Sequence, residues 1–341
     1  MRHPFRAFAR ADALAPPPAS QARPGVSVDA AALSALELAA RDFHFLPSQP
    51  VHSVLAGRHA SRVRGRGLSF EELRLYVAGD DIRSMDWRVT ARTGKPHVRV
   101  YSEEKDRPVI VVVDQRINMF FGSRHVMKSV CAAEAAALAA WRALAEGDRV
   151  GGVVFGDDGM DEFAPRRSRQ SVQQFLGSVA RRNAALCADA RARRVAGQMN
   201  AALERCARMA GHDALIVLIS DFDGHDARTR ELVLGMAARN DVLTVLVHDP
   251  FLSELPESGN LVVSDGELQV ELGFGHTGVR RGIAEYADAH SRELLNWHHA
   301  IGVPLLPLSA AEDTALQVRR LLGSTRLQGA APLRARGGAS R

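Results

Sequence analysis

The chain has 341 residues, 46% of them hydrophobic and 6% aromatic, with a formal net charge of +5. This is material for one large or two modest cores filled mainly by Ala, Val and Leu. Three scattered cysteines (Cys131, Cys187 and Cys206, with no Cys-x-x-Cys) exclude a disulfide framework or a zinc site, and no apolar run approaches the roughly 18 residues of a membrane span. Lys stands only at 95, 105 and 128, and every other basic residue is Arg. Arginine in this number suits phosphate contact, but Asp and Glu are interspersed throughout, so nucleic acid is not the expected partner. The N-terminus has no continuous apolar segment of the signal-peptide kind. The expectation is a soluble, cytoplasmic protein.

In chain order, residues 1–28 are rich in Ala, Pro and Arg and read as a disordered lead. Residues 29–41 read as a helix, with Asp29 as N-cap and Leu33, Leu36 and Leu38 on its apolar side. Residues 62–108 are dense in charge and glycine and read as a small β-rich module. There Val98, Val100 and Tyr101 suggest a strand, Thr93-Gly94-Lys95-Pro96 a turn, and Glu71-Glu72-Leu73-Arg74 a helical turn.

A regular alternation of strands and helices begins at residue 109. Strands are expected at 109–114, 149–155, 160–164, 214–220, 242–247 and 303–308. Helices are expected at 125–146 (Ser123 as N-cap), 171–179, 192–210, 227–238, 279–299 and 310–322. Asp265-Gly266 between two short apolar runs signals a hairpin, and the tail after Ser324 reads as disordered. The expected organisation is a lead (1–28), a helix and β-rich module (29–107), an α/β domain (108–323) and a tail (324–341). The α/β domain should be a doubly wound, mostly parallel sheet with right-handed crossovers.

The strands at 109–114 and 214–220 run into Asp114 and Asp221, on the sheet edge where open α/β folds bind ligands. Asp114, Arg116 and Asn118 follow at alternate positions, and Asp221-Phe222-Asp223-Gly224 follows the second strand. This pattern resembles the von Willebrand factor A fold, whose first strand ends in Asp-x-Ser-x-Ser and whose adhesion site holds a divalent cation. What the resemblance implies is a Mg²⁺ or Mn²⁺ site on Asp114, Asn118, Asp221 and Asp223. The departure is Arg116 at the first hydroxyl position, since a guanidinium cannot ligate a cation. The nearest hydroxyls for a threonine loop are Ser168 and Ser171. The alternative is an internal ion pair, with Arg116 against Asp114, Asp221 or Asp223 in place of the metal.

The module before the sheet carries a more specific resemblance. Gly67-Leu68-Ser69-Phe70-Glu71-Glu72-Leu73-Arg74-Leu75-Tyr76, Gly79-Asp80-Asp81-Ile82-Arg83-Ser84-Met85-Asp86-Trp87-Arg88 and Ala91-Arg92-Thr93-Gly94 resemble the signature of a bacterial family of unknown function, the fifty-eighth in its series. The resemblance covers roughly residues 57–320. It implies no established catalytic activity and a partner class, the MoxR-type AAA+ ATPases, acting on an unknown client protein. Asp80, Asp81, Arg83, Asp86, Trp87, Arg88 and Arg92 read either as a docking surface or as a structural knot of salt bridges around a buried Trp. No GxxxxGK[ST] motif occurs, so any ATP hydrolysis belongs to the partner. The leading expectation is a non-enzymatic interaction protein; the alternative is a metal-dependent hydrolase using Asp114, Asp221 and Asp223.

Overall fold

A computed structural model describes residues 22–43, 68–77, 85–103, 107–187, 197–252, 260–264, 269–273 and 277–322. Of the expected disordered lead (1–28), residues 1–21 lie outside the described residues, as do the tail 324–341 and the Asp265-Gly266 turn; residues 22–28 are instead ordered, with Val28 buried and its N–H donating to Asn183 Oδ1. The chain forms two compact units, His52–Arg107 and the pair of segments Met1–Val51 and Pro108–Arg341. The first helix, α1 (Ala30–Ala35), therefore belongs with the larger unit and not with the β-rich module. Asp29 caps it, accepting from Ala32 N. Leu33 is fully buried, and its carbonyl accepts a hydrogen bond from Trp141 Nε1.

In the smaller unit β1 (Leu68–Leu75) pairs antiparallel with β2 (His97–Glu103), and α2 (Trp87–Thr93) stands between them in sequence. Residues 71–74, expected as a helical turn, lie inside β1, where pairing with β2 overrides local propensity. Gly94 closes α2 in the left-handed conformation (φ +70°), as the expected turn requires.

The larger unit is built on six strands: β3 (Pro108–Asp114), β4 (Arg149–Gly156), β5 (Gly159–Arg166), β6 (Leu215–Ser220), β7 (Asp241–His248) and β10 (Leu305–Ser309). The order is β10-β7-β6-β3-β4-β5, all parallel except the edge strand β5. The hairpin strands β8 (Asn260–Ser264) and β9 (Gln269–Gly273) pair separately.

Alternation along β3 sorts its side chains onto two faces. Val109, Val111 and Val113 join one core with α3 (Lys128–Ala145), α4 (Arg169–Ala185) and α8 (Thr314–Leu322), on which α1 also packs. Ile110 and Val112 join the other with α5 (Gln198–Ala210), α6 (Ala227–Ala237) and the C-terminal part of α7 (Thr277–Ile301). Helices on both faces make the sheet doubly wound. Small residues allow the close approach. A Cβ on Gly152 would lie 2.5 Å from the Phe175 ring and 2.7 Å from Val111 O. The alanines of α3 are similarly enclosed by the sheet and by neighbouring helices. Cys131 and Cys206 are buried in these cores, and burial pushes both thiols up to about 12, so they behave as small apolar residues.

The helix after β3 starts later than the sequence pattern suggests. α3 begins at Lys128 and not near residue 125, with Met127 at the cap position and no side-chain cap. Ser123, the expected cap, instead binds Asp249: its N–H donates to Oδ2 (2.9 Å) and its hydroxyl to Oδ1 (2.6 Å).

Candidate functional site

The strand order reverses at β3. The chain passes from β3 to β4 and β5 on one side, then crosses to β6 on the other. The carboxyl ends of β3 and β6 therefore flank a topological switch point, where doubly wound sheets open a crevice. Asp114 ends β3, and Ser220-Asp221 ends β6.

Asp114 is completely buried. Its Oδ1 accepts from Arg116 N (3.0 Å) and Arg116 Nε (3.0 Å), and its Oδ2 from Arg116 Nη2 (2.7 Å) and Ser220 Oγ (2.6 Å). This is the bidentate fork for which a guanidinium is suited. The guanidinium also donates to Asp223 O at 3.1 Å and lies 5.4 Å from the centre of the Phe155 ring. Burial draws the Arg116 pKa down, but the charge and hydrogen bonds of Asp114, with Asp221 and Asp223 behind it, push it above its ordinary value. Of the alternatives in the sequence, the internal ion pair is the one that the side chains form.

A second cation was not foreseen. Lys128, the first residue of α3, donates from Nζ to Asp221 Oδ2 at 2.6 Å. Asp221 Oδ1 accepts from Asn118 Nδ2 (2.7 Å) and Asp223 N (3.0 Å). Burial alone would raise the Asp221 carboxyl, but the Lys128 ammonium, the Asp223 N–H and the Arg116 charge hold it down at about 2. A lysine in the first turn of a helix opposes the macrodipole, but that placement does not identify a partner 93 positions away.

The loop after β6 is shaped around these contacts. Phe222 is buried in the left-handed region (φ 56°), and its N–H donates to Ser220 Oγ at 2.9 Å. Gln115, between the two charged residues, donates to Ser129 O and accepts from Asn183 Nδ2, and Asn183 Oδ1 in turn accepts from Val28 N. Amide side chains thus connect the crevice to the N-terminal segment.

A divalent cation does not fit this arrangement. All four carboxylate oxygens of Asp114 and Asp221 already accept from protein donors, most of them on Arg116, Lys128, Asn118 and Ser220. A cation about 4 Å from either positive group would be repelled by several kcal/mol at a surface-like dielectric. Asn118 presents its amide nitrogen to Asp221 and not its oxygen to an ion. Ser168 caps α4, accepting from Ser171 N, and the register of β5 puts that helix start at the opposite edge of the sheet. Neither serine can complete a metal loop. Among the described residues no three His, Cys, Asp or Glu side chains converge as metal ligands.

The signature residues of the smaller unit divide. Asp80, Asp81 and Arg83 lie outside the described residues. Asp86 is buried and caps α2, its Oδ1 accepting from Arg88 N and Val89 N at 3.0 Å each. Trp87 is 65% exposed, and Arg88 and Arg92 are exposed beside it. Among the described residues, Asp86 is thus turned inward as the cap and Trp87 is not buried.

Comparison with known proteins gives a family without an assigned role. The family described as "Protein of unknown function DUF58" matches residues 72–293. Uncharacterized proteins of Mycobacterium bovis and Mycobacterium tuberculosis are each 33% identical over 298 residues, which covers 87% of this chain and 90% of theirs. A shorter relative from Mycobacterium avium is 32% identical over 133 residues, covering 39% of this chain and 78% of its own. Among solved structures, an aerotolerance-related membrane protein of Bacteroides fragilis is 13% identical with a TM-score of 0.37, covering 63% of this chain and 96% of that one. Among the described residues of the present chain, no helix is long and apolar enough to cross a membrane.

Proposed function

We propose, for a chain that belongs to the DUF58 family of proteins of unknown function, that it is a non-enzymatic adaptor working with a MoxR-type AAA+ ATPase on a client protein. One observation carries this reading: the carboxylates of the switch point are neutralised by the protein's own Arg116 and Lys128. A hydrolase of this layout would need Asp114, Asp221 and Asp223 free to hold an ion or a proton in transit. Here those groups rigidify the crevice, a use better suited to a fixed binding surface than to chemistry. The order of the six strands and the position of Asp114 support the von Willebrand factor A-like reading, with guanidinium and ammonium in place of the metal.

The test is co-purification and cross-linking of the full chain with the MoxR-type ATPase of the same genome, in EDTA and in Mg²⁺. Association that is indifferent to the divalent ion is expected. Contact no greater than background overturns the adaptor reading. A phosphatase and nuclease screen with and without Mn²⁺ addresses the hydrolase alternative, and Mn²⁺-dependent turnover abolished by Asp114→Ala would establish it.

A further inference from the structure

Large apolar side chains should be rare at a surface unless something covers them. Among the described residues, Leu73, Leu75, Val77 and Trp87 are all exposed, within residues 73–87 of the smaller unit. Leu73 and Leu75 alternate along β1 and share one face of the two-stranded sheet. Trp87 opens α2 and is 65% exposed. Arg88 and Arg92, one helical turn apart, are both exposed, and neither makes an ion pair among the described residues. The adjacent carboxylate, Asp86, is buried as the cap. The outward side of α2 therefore offers an indole and two fixed positive charges with no acid among its own residues.

We propose that α2, through Trp87, Arg88 and Arg92, is the docking surface for a protein partner that presents an apolar notch rimmed by carboxylates. The inference rests on the adaptor reading above and names the surface it uses. Trp and Arg are the residues that anchor protein interfaces, the first by area and the second by directed hydrogen bonds. Charge selects the occupant. A second copy meeting this face symmetrically would set Arg88 and Arg92 against themselves. The terminal segments of this chain have the wrong sign. Residues 1–21 carry Arg2, Arg6 and Arg10 against Asp12, and residues 323–341 carry Arg326, Arg334, Arg336 and Arg341 with no acid. An acidic partner surface satisfies both the indole and the guanidinium groups.

The experiment measures affinity between the full chain and the MoxR-type ATPase of the same genome across a salt series, for wild type, Trp87→Ala, Trp87→Phe and the double variant Arg88→Glu/Arg92→Glu. Trp87→Ala is expected to weaken binding about tenfold or more at every salt concentration, while Trp87→Phe keeps most of it. The arginine reversal is expected to weaken binding most at low salt and to flatten its salt dependence. Unchanged circular dichroism and melting temperature exclude misfolding as the cause. Wild-type binding that all three variants retain overturns this surface while leaving the adaptor reading in place. No binding by the wild type overturns the adaptor reading and this surface together. A wild-type dimer that Trp87→Ala dissolves assigns the face to a second copy and also overturns the proposal.

Discussion

Asp114 and Asp86 open the same three-residue pattern, Asp-x-Arg, and both carboxylates are buried. The backbone turn is also the same: in each case Oδ1 accepts from the N–H two residues on, Arg116 N or Arg88 N, at 3.0 Å. The arginine side chains part company. Arg116 folds back onto its aspartate as a buried fork, whereas Arg88 is exposed. The local difference lies in what else meets the carboxylate. At Asp86 a helix begins, so Val89 N supplies a second donor and the helix dipole favours the negative charge. At Asp114 only a short 3₁₀ turn follows, at Ile117–Met119, so the guanidinium must supply the charge. Spacing sets the turn, and surroundings decide whether the charge is held inside or displayed.

The sharpest way to break this comparison is to delete each arginine. Arg116→Ala strands a buried carboxylate and is expected to cost about 3–5 kcal/mol in urea unfolding; a loss below about 1 kcal/mol would show that water or another cation replaces the fork. Next comes Lys128→Met, expected to cost about 2–3 kcal/mol at neutral pH. The Asp221 carboxyl is depressed to about 2, so its contribution is complete above the ordinary carboxylate range and disappears as pH falls toward 2. The deficit of Lys128→Met relative to wild type should therefore be full at neutral pH and shrink as pH falls toward 2, which thermal melts from acid to neutral pH would record. Asp86→Ala removes the cap of α2, for an expected loss of about 1 kcal/mol. Arg88→Ala is the smallest, within about 0.5 kcal/mol of wild type, since the side chain is exposed.

The same contrast explains what could be read from the amino-acid sequence. β3 and β6 were legible because a β-branched run long enough for one strand has few other uses, and the aspartates at their ends mark the ligand edge. The Arg116 fork was legible because donor and acceptor are two residues apart. Lys128 was not, because Asp221 is 93 positions away and the contact depends on α3 starting at 128 and not at 125. Ser220, which donates to an aspartate 106 positions earlier, was missed for the same reason. Trp87 stayed open between a docking surface and a buried knot, because a rare aromatic in a charged motif suits either, and its exposure is set by how α2 lies in the folded unit.

The Trp141 hydrogen bond to Leu33 spans 108 positions and has a consequence in time. During synthesis α1 emerges before either helix it packs on, and the entire His52–Arg107 unit must be made before α3 and α4 follow. At about 5–20 residues per second the interval to the end of α4 is roughly 8–30 seconds. Through it Leu33 and Phe43, both buried in the finished core, have no core to enter. That apolar segment is thus made well before it can be buried, and the nascent chain stays open to capture there until α3 and α4 have followed.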